Sequence, residues 1–126
     1  MSWRNGTQLT GIVTLSTDEV LATGTNKARV RMPVAGRIVG VTASVLSASA
    51  GSSVILDVNK NGTTIFGTQA NRPTIAAAAV SANSGAFSVK SFAAGDVITV
   101  DGDQVGSGTA GTGFTVAIAY RGTRNE

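Results

Sequence analysis

The chain has 126 residues, of which 42% are hydrophobic and only 13% charged; its formal net charge is +3, and it contains no histidine and no cysteine. That length suits one domain around one core, and a charged fraction well under the roughly 25% usual in soluble proteins leaves the surface to Ser, Thr, Asn, Gly and Ala. The missing residue types exclude Ser-His-Asp and Cys-His catalysis, a disulfide framework and thiolate metal sites.

The stretch 1–26 opens the chain as either an arm that docks on or swaps with a neighbour, or a first strand (9–16) with a frayed end. Its start, MSWRNGTQLT, lacks the basic-then-apolar layout of a signal peptide, and no apolar run approaches about 18 residues. A soluble protein with no membrane segment is expected, which sets aside the Asn-Gly-Thr sequons at Asn5 and Asn61. A second strand is predicted at 28–34, with Arg29 and Arg31 on one face and Val30 and Met32 on the other.

Pro33-Val34-Ala35-Gly36 breaks that strand from the next, at 37–46. In 53–59, Val54, Leu56 and Val58 alternate with Ile55 and Asp57, giving one buried and one outward face. Asn61-Gly62 then supplies two residues tolerant of positive φ, as a type I′ hairpin requires, with a return strand at 63–67. Arg72-Pro73 forces extended chain and removes a donor, a way to leave a sheet edge. The run TIAAAAVSAN at 74–83 reads as a surface crossover with one helical turn. Strands at 86–92, 96–105 and 113–121 follow, the last two joined by a long flexible connector, GSGTAGTG. About eight short strands between turn signals predict an all-β, single jelly-roll-like antiparallel β-sandwich spanning 1–126.

Motifs that could carry chemistry are few. Asp101 and Asp103 fall on one side of an extended strand, so they read either as solvent-facing charges at a strand end or as a weak calcium site, although the EF-hand frame is not matched. A glycosidase carboxylate pair lacks a sugar platform, since Trp3 and Tyr120 are the only large amphipathic rings. Gly106, Gly108 and Gly111 match Gly-x-Gly-x-x-Gly, but the residues that follow alternate like a strand, so no helix N-terminus faces a phosphate. Basic residues are dispersed and aromatics make up 5%, which speaks against nucleic acid as a partner. No enzyme activity, cofactor, metal or small-molecule substrate is expected; a scaffold or binding module is.

The strings DVNKNGTTIF at 57–66, RPTI at 72–75, GDVITVD at 95–101 and DQVGS at 103–107 with Ala110-Gly111 resemble a module of tailed-bacteriophage virion proteins. That module occurs in capsid decoration (cement) proteins and in tail, fibre and tip proteins, and the likeness covers roughly 34–120. It implies a jelly roll assembled into a virion, with no catalytic residues to transfer. A cement protein on the capsid surface is the first expectation, its partners the major capsid protein and copies of itself in a homotrimer around a local threefold axis. A tail or fibre-tip adhesin that binds through a loop such as 106–113 is the alternative. Candidate capsid or subunit contacts are Trp3, Arg4, Arg29 and Arg31.

Overall fold

A computed structural model of the chain describes residues 10–122. Among the described residues ten strands form two antiparallel sheets. Sheet A runs in the order β1 (Thr10–Val20), β10 (Thr112–Gly122), β3 (Gly36–Ser47), β7 (Ser81–Asn83), with β8 (Ser91–Phe92) also on β3. Sheet B runs β2 (Gly24–Arg31), β9 (Val97–Val105), β4 (Val54–Lys60), β5 (Thr63–Thr64), with β6 (Thr74–Ile75) also on β4.

The pairings are nested. β1 pairs with β10, β2 with β9, β3 with β7 and β8, and β4 with β5 and β6, so the first half of the chain is hydrogen-bonded to the second half in reverse order. Successive pairs alternate between the sheets, and β10 on β3 and β9 on β4 complete each sheet. This is one long antiparallel ribbon wound into a jelly roll, as expected from the sequence.

The fold point of the ribbon is the turn at Asn61-Gly62. Lys60 pairs with Thr63 and Asn59 with Thr64 across a two-residue loop, and Asn61 (φ 51°) and Gly62 (φ 88°) both take the left-handed conformation that a type I′ turn demands. Asn61 also ties this tip to β9. Its side chain donates to Asp96 Oδ1 (3.0 Å) and accepts from the Val97 N–H (2.9 Å), and its own N–H donates to the Val97 carbonyl (2.8 Å).

Period-2 alternation places the core. Leu15, Ile38, Val41, Val116 and Ile118 point inward from sheet A, and Val54, Leu56, Val58, Ile98 and Val100 from sheet B. Ile65, Phe66, Ile75 and Phe92, from turns and short strands, close the ends. Burying each such side chain contributes roughly 1.5–3 kcal/mol before the entropy of ordering the chain is subtracted.

Three expectations need correction. No helical turn forms in the alanine run: β6 belongs to sheet B and β7 to sheet A, and residues 76–80 cross between them with Ala78 at φ 68°. One α-helical stretch of that length would rise only about 7.5 Å, less than the roughly 10 Å between packed sheets. The strand expected over 86–92 reduces to Ser91–Phe92. Its earlier part is anchored instead on one carbonyl, since Ser88 N–H, Val89 N–H and Ser88 Oγ all donate to Ile65 O. The return strand after the turn is Thr63–Thr64 alone, because Ile65 and Phe66 turn into the core.

Gly62 has no atom near enough to crowd an added Cβ, so its replacement tests backbone conformation alone. Gly62→Ala is expected to cost about 1 kcal/mol in denaturant unfolding, whereas Gly40→Ala, equally uncrowded and without positive φ, should shift stability by no more than about 0.5 kcal/mol.

Candidate interaction surfaces

The outer face of sheet B is polar and internally bonded. Asp57, on the outward side of β4 as its alternation predicts, is nevertheless only 7% exposed, because β5 and Arg72 lie against it. Thr64 Oγ1 donates to its Oδ1 at 2.6 Å. Burial raises the Asp57 carboxyl above its ordinary value and the Asp103 charge adds to this, while the Thr64 hydrogen bond and Arg72 pull the other way.

On β9, Asp101 accepts from the Asn26 N–H (2.8 Å) and from Asn59 Nδ2 (2.9 Å). Asp103 is paired with Arg72, the one salt bridge among the described residues. Of the two sequence readings of Asp101 and Asp103, neither describes the arrangement fully, since both carboxylates are bonded to other parts of the chain. Among the described residues no three acidic side chains gather into a metal-binding group. At the neighbouring turn, Asp96 accepts from the Ala93 N–H (2.8 Å) and from Asn61; these donors hold its carboxyl below the ordinary value.

Arg29 and Arg31 are exposed on β2, the edge of this sheet. Arg29, Asn59, Thr99 and Asp101 line an open groove of about 320 Å³, while Arg31 reaches the turn at Gly95. Trp3 and Arg4 lie outside the described residues. The structure therefore brings Arg29 together with the carboxylate network and leaves Arg31 beside a turn.

The glycine motif is occupied by the protein itself. The N–H groups of Ser107, Gly108 and Thr109 all donate to the Ala50 carbonyl (3.1, 3.0 and 3.4 Å), and the Ala50 N–H returns a bond to Thr109 O at 2.9 Å. Three backbone donors converging on one oxygen form a nest, here filled by a carbonyl. The connector expected to be flexible is pinned, and Gly111 is further bonded to Val105. Tyr120 is likewise committed: its ring meets Phe92 edge-on with centroids 5.7 Å apart and covers Gly11, where a Cβ would come within 2.7 Å of it.

The outer face of sheet A was not foreseen. Register aligns Thr14, Ala117, Thr42 and Asn83 in one row across four strands, and Ser16, Thr115, Ser44 and Ser81 in the next. Ile12, Ala119 and Gly40 form a third, beside Val39 at a bulge. Ile12 and Leu46 are 69% exposed and Val39 50%. Within these rows there is no charge; Arg37 and Arg121 face each other at one end. An uncharged sheet face with three large exposed apolar side chains has the character of a contact surface. The pattern was present in the alternation of each strand, but it became one surface only once the order β1-β10-β3-β7 was known.

The raised carboxyl of Asp57 has a stability consequence. The folded state holds its proton more tightly than the unfolded chain, so stability should fall as pH rises from about the ordinary value of 3.8 through the raised one. Asp57→Asn keeps an oxygen for Thr64 and removes the titration. Its unfolding free energy relative to the parent should improve as pH rises across that window, and a difference that is flat with pH would contradict the assignment.

No protein-family model matches the chain, and no curated protein matches it in sequence. Among solved structures it is similar to a chain of the cyanophage Pam1 capsid asymmetric unit, at TM-score 0.49 and 16% identity, covering 92% of this chain and 86% of that one. It is also similar to the Clostridium thermocellum xylanase 10B CBM22-1 and GH10 modules complexed with xylohexaose, at TM-score 0.28 and 12% identity, covering 91% of this chain and 25% of that one. A third likeness is to a chain of the T13 IBDV viral particle, at TM-score 0.24 and 11% identity, covering 89% of this chain and 31% of that one. The jelly-roll assignment stands on the strand order itself.

Proposed function

We propose that the chain is a structural protein of a tailed-phage virion that binds the outside of the head as a cement protein. The observation that carries this reading is the outer face of sheet A, uncharged across three rows and bearing Ile12, Val39 and Leu46. An outer sheet face of this kind matches a broad protein surface better than a small ligand, which needs a concave site. The resemblance of residues 57–66 to the phage virion module adds to it, since those residues contain the turn on which the jelly roll is built.

In this reading the major capsid protein is the partner, and sheet A lies on the joints between its subunits. A ligand that binds the assembled shell and not its dissociated subunits stabilises the shell by linkage, about 2.7 kcal/mol per site at a free concentration one hundred times Kd. That stabilisation would oppose the pressure of packaged DNA. No helix is long and apolar enough to cross a membrane among the described residues, and the proposed location is the capsid surface.

The tail-tip alternative would place contact in the loop 106–113. The bonds that hold this loop to Ala50 leave it little freedom to adapt to a receptor, and this favours the head. Antibody labelling of purified virions separates the two, over the whole head for cement and at the tail end alone for an adhesin.

Particles carrying the protein are expected to retain DNA to a higher temperature than particles stripped of it, and re-addition of the protein should restore the difference. Ile12→Lys with Leu46→Lys, both at exposed positions, should abolish restoration without unfolding the protein. Equal heat resistance of stripped and complete particles would remove the cement role.

A further inference from the structure

We propose that β1 is a self-association edge: two copies pair their Thr10–Val20 strands antiparallel across a twofold axis, joining sheet A of one molecule to sheet A of the next. β1 is the outermost strand of sheet A, with β10 on one side and, among the described residues, no strand on the other. Such an edge presents a row of unpaired N–H and C=O groups, which proteins ordinarily blunt with charge, proline or a bulge.

The edge of sheet B is blunted in this way. β2 exposes Lys27, Arg29 and Arg31, and its register shifts between Gly24 and Ala28. β1 from Thr10 to Thr17 has no charge, no proline and no bulge. Its register shift comes only after Thr17, where the Glu19 N–H turns to Thr17 Oγ1. Two neighbouring edges of one sandwich are thus treated in opposite ways, and the unprotected one also exposes Ile12 and Val20.

Charge identifies a second copy as the occupant. Asp57, Asp96, Asp101 and Asp103 each accept a hydrogen bond from elsewhere in the chain. Asp18 and Glu19 are the described acids whose carboxylates accept no hydrogen bond from the described residues, and both are exposed at one end of β1. At the other end Thr10 lies beside Arg121, and Arg121 beside Arg37.

Antiparallel pairing about an axis near Thr14 sets Thr10 opposite Asp18 of the other copy. Each acidic end then falls alongside the other copy's basic end, and Ile12 faces Ser16 of the other copy. Parallel pairing would set like charge against like. The interface is isologous, so both ion-pair regions form or neither does. A twofold of this kind takes the place of the threefold trimer expected from the sequence, and it leaves the outer face of sheet A free for a different partner.

Sedimentation equilibrium of the full chain tests this without any capsid, so its failure is distinct from failure of the cement reading. The expected result is a concentration-dependent rise from the 12.6 kDa chain mass to twice that mass, weakened by salt. Thr14→Lys, which places two ammonium groups across the axis, should raise the dissociation constant at least about tenfold, equivalent to about 1.4 kcal/mol, with an unchanged circular dichroism spectrum. Asp18→Lys with Glu19→Lys should weaken the dimer, as should Arg121→Glu, and an equimolar set carrying all three changes should recover most of the affinity. A monomer at all concentrations, a trimer, or a dimer indifferent to Thr14→Lys would overturn the proposal. So would a full-length monomer that dimerises once residues 1–9 are removed, because the chain's own N-terminal residues would then be the occupant.

Discussion

The register of one two-residue turn constrains everything outside it. Asn61 and Gly62 sit at the centre of a ribbon whose successive pairs are β4 with β5 and β6, β3 with β7 and β8, β2 with β9, and β1 with β10. Because side chains in a strand alternate between faces, a slip of one residue in β4 would turn Val54, Leu56 and Val58 outward and Asp57 and Asn59 into the core. The turn alone does not secure that register; the Asn61 side chain, bonded to both Asp96 and Val97, fixes where β9 begins beside β4. Left-handed backbone at Asn61 is thereby recompensed by bonds that a glycine there could not make.

The outermost pair of the ribbon carries a kinetic cost. β1 and β10 are at opposite ends of the described chain, so they meet only after a long loop is closed, and a topology so dominated by non-local pairing folds slowly. Until they meet, two long strands that carry charge only near one end are exposed, each a strand edge able to pair with another chain. The polar rows of Thr and Ser on their outer face limit this hazard without charge, since hydroxyls solvate a sheet face while fitting the β-pleat.

What could be read from the sequence follows from how local each signal is. β1, β3, β4, β9 and β10 were legible because alternation is a property of consecutive residues, and the type I′ turn because Asn-Gly has few other uses. The irregular course before Ser91 was not, since Ser88 and Val89 bond to the carbonyl of Ile65, which no local pattern reveals. The glycines at 106–111 suggest flexibility, yet Gly106 (φ 112°) lies where a Cβ would collide with Ser49 and Thr109. Gly111 likewise lies close against Val54 and Ser47. Arg29 and Arg31 were visible as a pair on one face, but the groove that receives Arg29 needs Asn59 and Asp101 from two other strands. The apolar face of sheet A depends on strand order in the same way.

The low charge of the chain acquires a structural meaning once its placement is known. Most described carboxylates are consumed inside the molecule: Asp57 under β5, Asp101 between Asn26 and Asn59, Asp103 on Arg72, Asp96 in the turn at Gly95. These bonds hold loops and strand ends in place, so the acids act as fasteners for sheet B. The positive charges are treated differently, with Lys27, Arg29 and Arg31 left exposed along the β2 edge, where they discourage strand addition. Sheet A receives almost no charge, apart from the opposed pairs at the two ends of β1. A molecule built this way has one face solvated by charge and one covered by hydroxyls and apolar side chains. Water is displaced from the second at far less cost than from the first, so sheet A and its edge are the part of the molecule least costly to cover.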